Sequence, residues 1–356
     1  MLLGKLAALW GFIQCVDARH RLDVRALQAQ ESGGEGAGAV LHFLFLLRDR
    51  LPHATIWKDF FAQAPLGTWM AWAHCTDLAA CKGDASLLGL AVHLVQHAPS
   101  SWTVDLVSPM VEMLRSALQS TVQGASPSIE KYVLISDSTL PVKPFADVYQ
   151  ALAAHNESDV CYNTPNQWAK AKIGGNEYAL PKHWQWVVLN RADAAALAQR
   201  WSGPISRSYE WEVPLANGQV VPRTRFRGGS PATDEEVYAI IHGPLMLTRS
   251  NLLKETTLRF KQRRCRTYVI YPGDLPLFRN PKSPDPRIAT TANLLLDSEF
   301  RMGGAEGVYS HPLSFLHVKS RALSILRRSS YLFARKFSPT LALQNYSNEM
   351  FSPLEM

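Results

Sequence analysis

"VLHFLFLL", Val40 to Leu47, is a near-continuous apolar run of strand length. Such a run suits a strand buried on both faces, as in a parallel sheet covered by helices. Downstream, "RDRLPHATIWKDFFAQAP" sets Ile56, Phe60 and Phe61 at helical spacing. "TWMAWAHC" (Thr68 to Cys75) is a second strand candidate, "SPMVEMLRSALQSTVQ" an amphipathic helix and "KYVLISDS" (Lys131 to Ser138) another buried strand. "TLPVKPFADVYQALAAH" is a proline-punctuated loop entering a helix. "HWQWVVLNRADAAALAQRW" reads as strand then helix, and "DEEVYAIIHGPLM" as helix. This alternation implies an α/β sandwich with a mostly parallel sheet. The stretch from Pro272 to Gly307, rich in Pro, Gly and Asn, reads as a long surface insertion. No internal repeat is visible.

The chain has 356 residues, 47% of them hydrophobic, ample for a packed core. The expected layout is a single domain over 40–345 with a short tail over 346–356. A flexible stem over 19–39 precedes it, ending in "ESGGEGAGA". Residues 1–18 carry Lys5, an apolar stretch from Leu6 to Val16 and small or polar residues around Ala18. The apolar part is shorter than the roughly 20 residues that span a bilayer. It fits a secretory signal peptide; a buried helix and a short signal anchor are the alternatives. Cys75, Cys81, Cys161 and Cys265 remain beyond it, an even number that permits disulfides in an oxidising lumen. Two sequons, Asn156-Glu157-Ser158 and Asn345-Tyr346-Ser347, suit the same route.

The formal charge is +7. A basic balance suits nucleic acid, an anionic membrane or a phosphorylated small molecule. Nothing resembles a nucleic-acid module, so no nucleic-acid partner is expected. The densest basic run, "KQRRCR" (Lys261 to Arg266), reads as a solvated strand edge or loop, or else as a patch for sulfated glycans. No G-x-G-x-x-G follows the first strand, and neither a Walker A sequence nor a G-x-S-x-G elbow is present. In a parallel sheet ligands bind beyond the carboxyl ends of the strands, which brings His74 and Asp137 forward. Near the C-terminus Arg335 and Lys336 stand between Phe333 and Phe337, either as a solvated helix edge or as a clamp for a strong anion.

Five blocks then fall in one order: "FLFLLRDRLPHATIWKDFF" (Phe43 to Phe61), "YVLISDSTLPVKPFADVYQAL" (Tyr132 to Leu152), "HWQWVVLNRADA" (His183 to Ala194), "TDEEVYAII" (Thr233 to Ile241) and "LFARKF" (Leu332 to Phe337). Together they resemble the Core-2/I-branching β-1,6-N-acetylglucosaminyltransferase family in its plant-like form, over roughly residues 40 to 341. The resemblance implies a GT-A-like α/β fold in the Golgi lumen or secretory pathway, with membrane attachment through the N-terminus as one option. It implies an inverting transfer from a UDP-sugar to a glycan hydroxyl, with no cofactor and no metal. N-acetylglucosamine is the first choice of sugar; xylose and glucuronic acid are used in the wider family. Consistent with a metal-free site, no Asp-x-Asp follows a buried strand; Asp137-Ser138-Thr139 stands where one is sought.

Without a metal, fixed cations must stabilise the leaving diphosphate. The resemblance assigns this to Lys336, with Arg335 beside it. An upstream basic partner is sought among His311, Lys319 and Arg321. The general base falls on Glu235, although Asp234, Glu235 and Glu236 also make an ordinary acidic helix start. Trp184, Gln185 and Trp186, with Asp234, are the candidate acceptor contacts. Strand alternation would put both Trp rings on one face, as sugar platforms or as a core pair. His74 and Asp137 are candidate nucleotide contacts or loop caps. The alternative to an enzyme is a degenerate relative that binds glycan or UDP without turnover.

Overall fold

A computed structural model describes residues 38–102, 104–120, 127–229, 232–247, 264–275, 285, 287–303 and 311–353. The expected signal segment and nearly all of the stem lie outside the described residues, as do 261–263 of the basic run. Strand β1 (Ala39–Leu47) is followed by α1 (Ala54–Phe61), β2 (Trp69–Cys75), the short α2 (Leu78–Gly83) and α3 (Ala85–Leu88), then β3 (His93–Leu94) and α4 (Val107–Ser120). Next come β4 (Ile129–Ser136), β5 (Leu140–Pro141), α5 (Phe145–Ala153), the hairpin of β6 (Ala169–Ile173) and β7 (Asn176–Leu180), β8 (Val188–Asn190) and α6 (Arg191–Arg200). The remainder comprises β9 (Glu212–Pro214), β10 (Val220–Pro222), α7 (Val237–His242), β11 (Leu245–Leu247), β12 (Thr267–Tyr268), α8 (Ile288–Leu295), β13 (Arg301–Gly303), β14 (Ser314–His317), α9 (Ser320–Arg328), β15 (Phe333–Ala334) and α10 (Tyr346–Phe351).

The main sheet has the order β3-β2-β1-β4-β8. Its β2–β1, β1–β4 and β2–β3 pairings are parallel, and β8 closes it antiparallel to β4. The opening run thus forms the central strand, fully buried from Leu41 to Phe45. Its alternation feeds two cores. Phe43 and Phe45 meet Trp57 and Phe60 of α1 on one face, with Trp57 set edge-on to Phe45 at 4.9 Å. Leu44 packs with Met110 and Leu114 of α4 on the other. The chain is therefore mixed α/β, with helices on both faces of a mixed sheet. His42 occupies a fully buried position because Trp72 Nε1 donates to its Nδ1 and Tyr132 stacks on it at 4.7 Å. Burial holds its pKa down to about 4.

Three expectations need correcting. Residues 183–187 are irregular rather than strand, because β8 begins only at Val188. "DEEVYAIIHGPLM" does not form one helix. A 3-10 turn over Thr233–Glu235 leads into α7, which stops at Gly243, and β11 follows. Gly243 has φ +76, and a Cβ there would lie 2.7 Å from the Pro214 carbonyl oxygen. The supposed surface insertion contains α8, which buries Thr291 and Leu294 completely. A helix of that sequence is hidden by its proline-rich flanks.

Two disulfides, Cys75–Cys81 and Cys161–Cys265, pair all four expected cysteines. The second anchors the end of the basic run. Arg266 pairs with buried Asp159 at 2.9 Å, and Arg264 with Glu157 at 2.6 Å. No helix among the described residues is long and apolar enough to cross a membrane.

Candidate functional site

The carboxyl ends of β1, β2 and β4 share one edge of the sheet because these strands run parallel. His74 near the end of β2 is buried. Its Nε2 lies 3.0 Å from the Ala98 nitrogen and 3.1 Å from the Ala98 oxygen, so it fixes the loop after β3. Burial depresses its pKa, and the Ala98 hydrogen bond opposes this. Asp137, just past β4, is half-buried, and its N–H donates to the Leu46 oxygen.

The segment around Arg335 forms the adjoining wall. It is extended rather than helical, as β15 lies between β12 and β5. The Arg335 N–H donates to the Tyr268 oxygen, Lys336 accepts from the Phe315 N–H and the Phe337 N–H donates to the Ser138 oxygen. This stitching lays Arg335 and Lys336 beside the loop that carries Asp137. Arg335 is buried with its guanidinium 4.1 Å from the centroid of the Trp186 ring. Burial lowers its pKa, and the charges of Tyr271, Asp137 and Asp234 pull the other way. Lys336 is half-buried and makes no side-chain hydrogen bond or ion pair among the described residues.

The three consecutive acids sort into three environments. Glu236 is buried and gripped by Arg223, whose Nε and Nη2 each lie 2.6 Å from a carboxylate oxygen. Gly229 permits this: a Cβ there would sit 2.9 Å from Arg223 Nη2 and 3.0 Å from Glu236 Oε1. Asp234 is also buried. Burial pushes its pKa up to about 7, with the neighbouring Glu235 charge adding to the rise and its own backbone N–H opposing it. Glu235 keeps partial exposure. Lys182 Nζ approaches its buried Oε2 to 3.0 Å as an ion pair without hydrogen-bond alignment. Its Oε1 makes no hydrogen bond or ion pair among the described residues.

His183 sets this segment in place. Its N–H donates to the Glu235 carbonyl. Its Nδ1 donates to the Trp184 carbonyl at 2.8 Å, leaving Nε2 to accept from the Tyr238 N–H at 3.0 Å, in the first turn of α7. Burial holds the imidazole pKa down to about 4, so it stays neutral.

The structure sets Arg335 against Trp186 and within the fields of Asp137 and Asp234, while Glu235 and Lys336 join this group through their chain neighbours Asp234 and Arg335. Trp184 and Trp186 do not share a face. Trp184 packs with Cys161 and Val269 under the Arg287 guanidinium at 4.4 Å, while Trp186 joins the core under α4. Both rings and Gln185 are buried. His311 lies against the exposed Trp102 ring at 5.3 Å. Arg321 is exposed on α9, and Lys319 pairs with Glu299; no described contact ties either to Glu235.

Sequence reasoning passed over Lys182, Tyr271 and Arg223. Burial raises the Tyr271 phenol pKa, and the Glu235 charge raises it further. Lys182 directly precedes the "HWQW" block, which was its one available signal. Arg223 sits in a loop with no motif. No protein-family model matches the chain, and no curated protein matches it.

Proposed function

We propose that the protein is an inverting, metal-independent glycosyltransferase of GT-A-like fold, moving a sugar from a UDP-sugar to a glycan hydroxyl. The observation that carries the reading is Arg335, stacked 4.1 Å from the Trp186 ring and within the fields of Asp137 and Asp234, with Lys336 next to it and Glu235 next to Asp234, one Glu235 oxygen making no hydrogen bond or ion pair among the described residues. Glu235 takes the proton of the acceptor hydroxyl. The acceptor oxygen forms its bond to the anomeric carbon as the carbon–oxygen bond to the diphosphate breaks. UDP leaves with the electron pair, and the Lys336 ammonium stabilises that charge. Arg335, buried under Trp186 and among acids, supports the field from behind rather than gripping phosphate. Asp234 and the loop over residues 184–186 shape the acceptor side. The two disulfides favour an oxidising compartment such as the Golgi lumen.

UDP release from a panel of UDP-sugars with mixed glycan acceptors, with and without EDTA, tests the reading. Turnover should survive EDTA. It should fall about 10²–10⁴-fold in Glu235→Gln and collapse in Lys336→Ala. Activity abolished by EDTA would overturn the cation clamp. UDP binding with no release from any donor would favour a binding protein without turnover.

A further inference from the structure

The β6–β7 hairpin carries a charged groove that the transfer chemistry leaves unused. Its two-residue turn, Gly174-Gly175, has φ +56 and +84, the left-handed values that a tight hairpin of this twist requires. The alternation of β6 buries Ala169 and Ala171 and turns Lys170 and Lys172 outward, both exposed. A concavity of about 770 Å³ lies over this face, lined among others by Lys170, Lys172, Asn176, Glu177 and Leu247.

On its free side β6 pairs with Arg227. The Lys170 N–H donates to the Arg227 oxygen at 2.9 Å, and the Arg227 N–H returns the bond at 2.8 Å. Residues exchanging both hydrogen bonds stand directly opposite, with their side chains on the same face. Like charges in that relation repel. Lys172 lies one alternation further along the same face, with Glu177 opposite it across the hairpin. An anion lying along the face would relieve the repulsion.

This groove is joined to the Glu235 site. The Arg223 fork that holds Glu236 also donates to the Phe226 and Gly228 carbonyls, which fixes the segment bearing Arg227. Lys170 lies opposite Ala179 on β7. Three residues further along that chain, about 10 Å in extended geometry, Lys182 meets Glu235. A short oligosaccharide covers that span.

We propose that the groove binds a negatively charged saccharide chain, sulfated or uronate-bearing, and presents its end to Glu235 as acceptor. The acceptor role rests on the glycosyltransferase reading; the binding site does not. Asn176 and Glu177 offer acceptors for sugar hydroxyls. Among the described residues no aromatic ring lines the concavity to stack a base, as a single-stranded nucleic-acid site would.

The test is binding of a fluorescent heparin octasaccharide to the full chain at two salt concentrations. Wild type should bind it, more weakly at higher salt. Lys170→Ser/Lys172→Ser/Arg227→Ser should lose at least about tenfold in affinity and part of the salt dependence, a tenfold loss being about 1.4 kcal/mol. The single Arg227→Ser, which leaves β6 intact, should fall in the same direction by less. Desulfated and carboxyl-reduced octasaccharides identify which anionic group is read. Unchanged affinity in the triple variant, equal affinity for an uncharged dextran octasaccharide, or equal affinity for single-stranded DNA would each overturn the site. Cation-dependent binding without UDP release from any donor would remove the acceptor role and leave the site standing.

Discussion

The loop around Glu236 and the loop around Glu235 are adjacent in sequence and built for opposite ends. Glu236 has both oxygens taken by a buried guanidinium, in a pocket that only a glycine at 229 leaves open. Glu235 has one oxygen near an ammonium, and the other makes no hydrogen bond or ion pair among the described residues. The first arrangement fixes backbone; the second keeps a carboxylate in place without consuming it. Adjacent carboxylates can therefore meet one buried and tightly paired environment and one partly exposed environment, where the chain turns sharply as the 3-10 turn over Thr233–Glu235 does here.

The largest expected effect breaks the Glu236 side. Arg223→Met leaves a buried carboxylate without its partner and should cost about 3–5 kcal/mol, read by urea denaturation. Asp234 sharpens the comparison through pH. Its folded pKa of about 7 lies above the ordinary carboxylate value, so its contribution to stability is complete at acid pH and is lost as pH rises through 7. Asp234→Asn should therefore stabilise the protein above pH 7 by roughly 1–3 kcal/mol, with the gain fading towards pH 4. Thermal melts across that range check both size and sign.

In the same Asp234→Asn background, buried His183 and His42 set the opposite slope. Their pKa values of about 4 lie below the ordinary 6.5, so their contribution is complete above pH 6.5 and is lost as pH falls towards 4. The smallest effect belongs to Lys182→Met. The pair is partly exposed, so unfolding should change by no more than about 1 kcal/mol, while turnover falls because Glu235 loses its anchor. A stability loss as large as that of Arg223→Met would erase the distinction between the two loops.

The elements read most directly from sequence were those with a strong local signal. The run of β1, the apolar stretches of β2 and β4 and the amphipathic α4 all occupy expected positions, because burial of a central strand leaves a continuous apolar stretch. The β6–β7 hairpin and β12 were missed, since β6 alternates between Ala and Lys, residues depleted in strands, and β12 is only two residues long. Clustering of Asp137, Asp234 and Arg335 depends on strand order and on the bonds that Arg335 and Phe337 make to Tyr268 and Ser138. No spacing in the chain encodes those bonds. The paths of Trp184 and Trp186 to separate cores were hidden for a related reason: an irregular segment lacks the alternation that the reading assumed.

The central claim is that Glu235, and neither acidic neighbour, accepts the proton. With the donor found in the UDP-sugar panel held at saturation, kcat and KM for the acceptor should be compared among wild type, Glu235→Gln and Asp234→Asn, each checked for fold by circular dichroism. The account predicts that Glu235→Gln lowers kcat by about 10²–10⁴-fold and that Asp234→Asn acts mainly on KM. Near-normal kcat in Glu235→Gln beside a collapse in Asp234→Asn would contradict it and move the base to the buried acid.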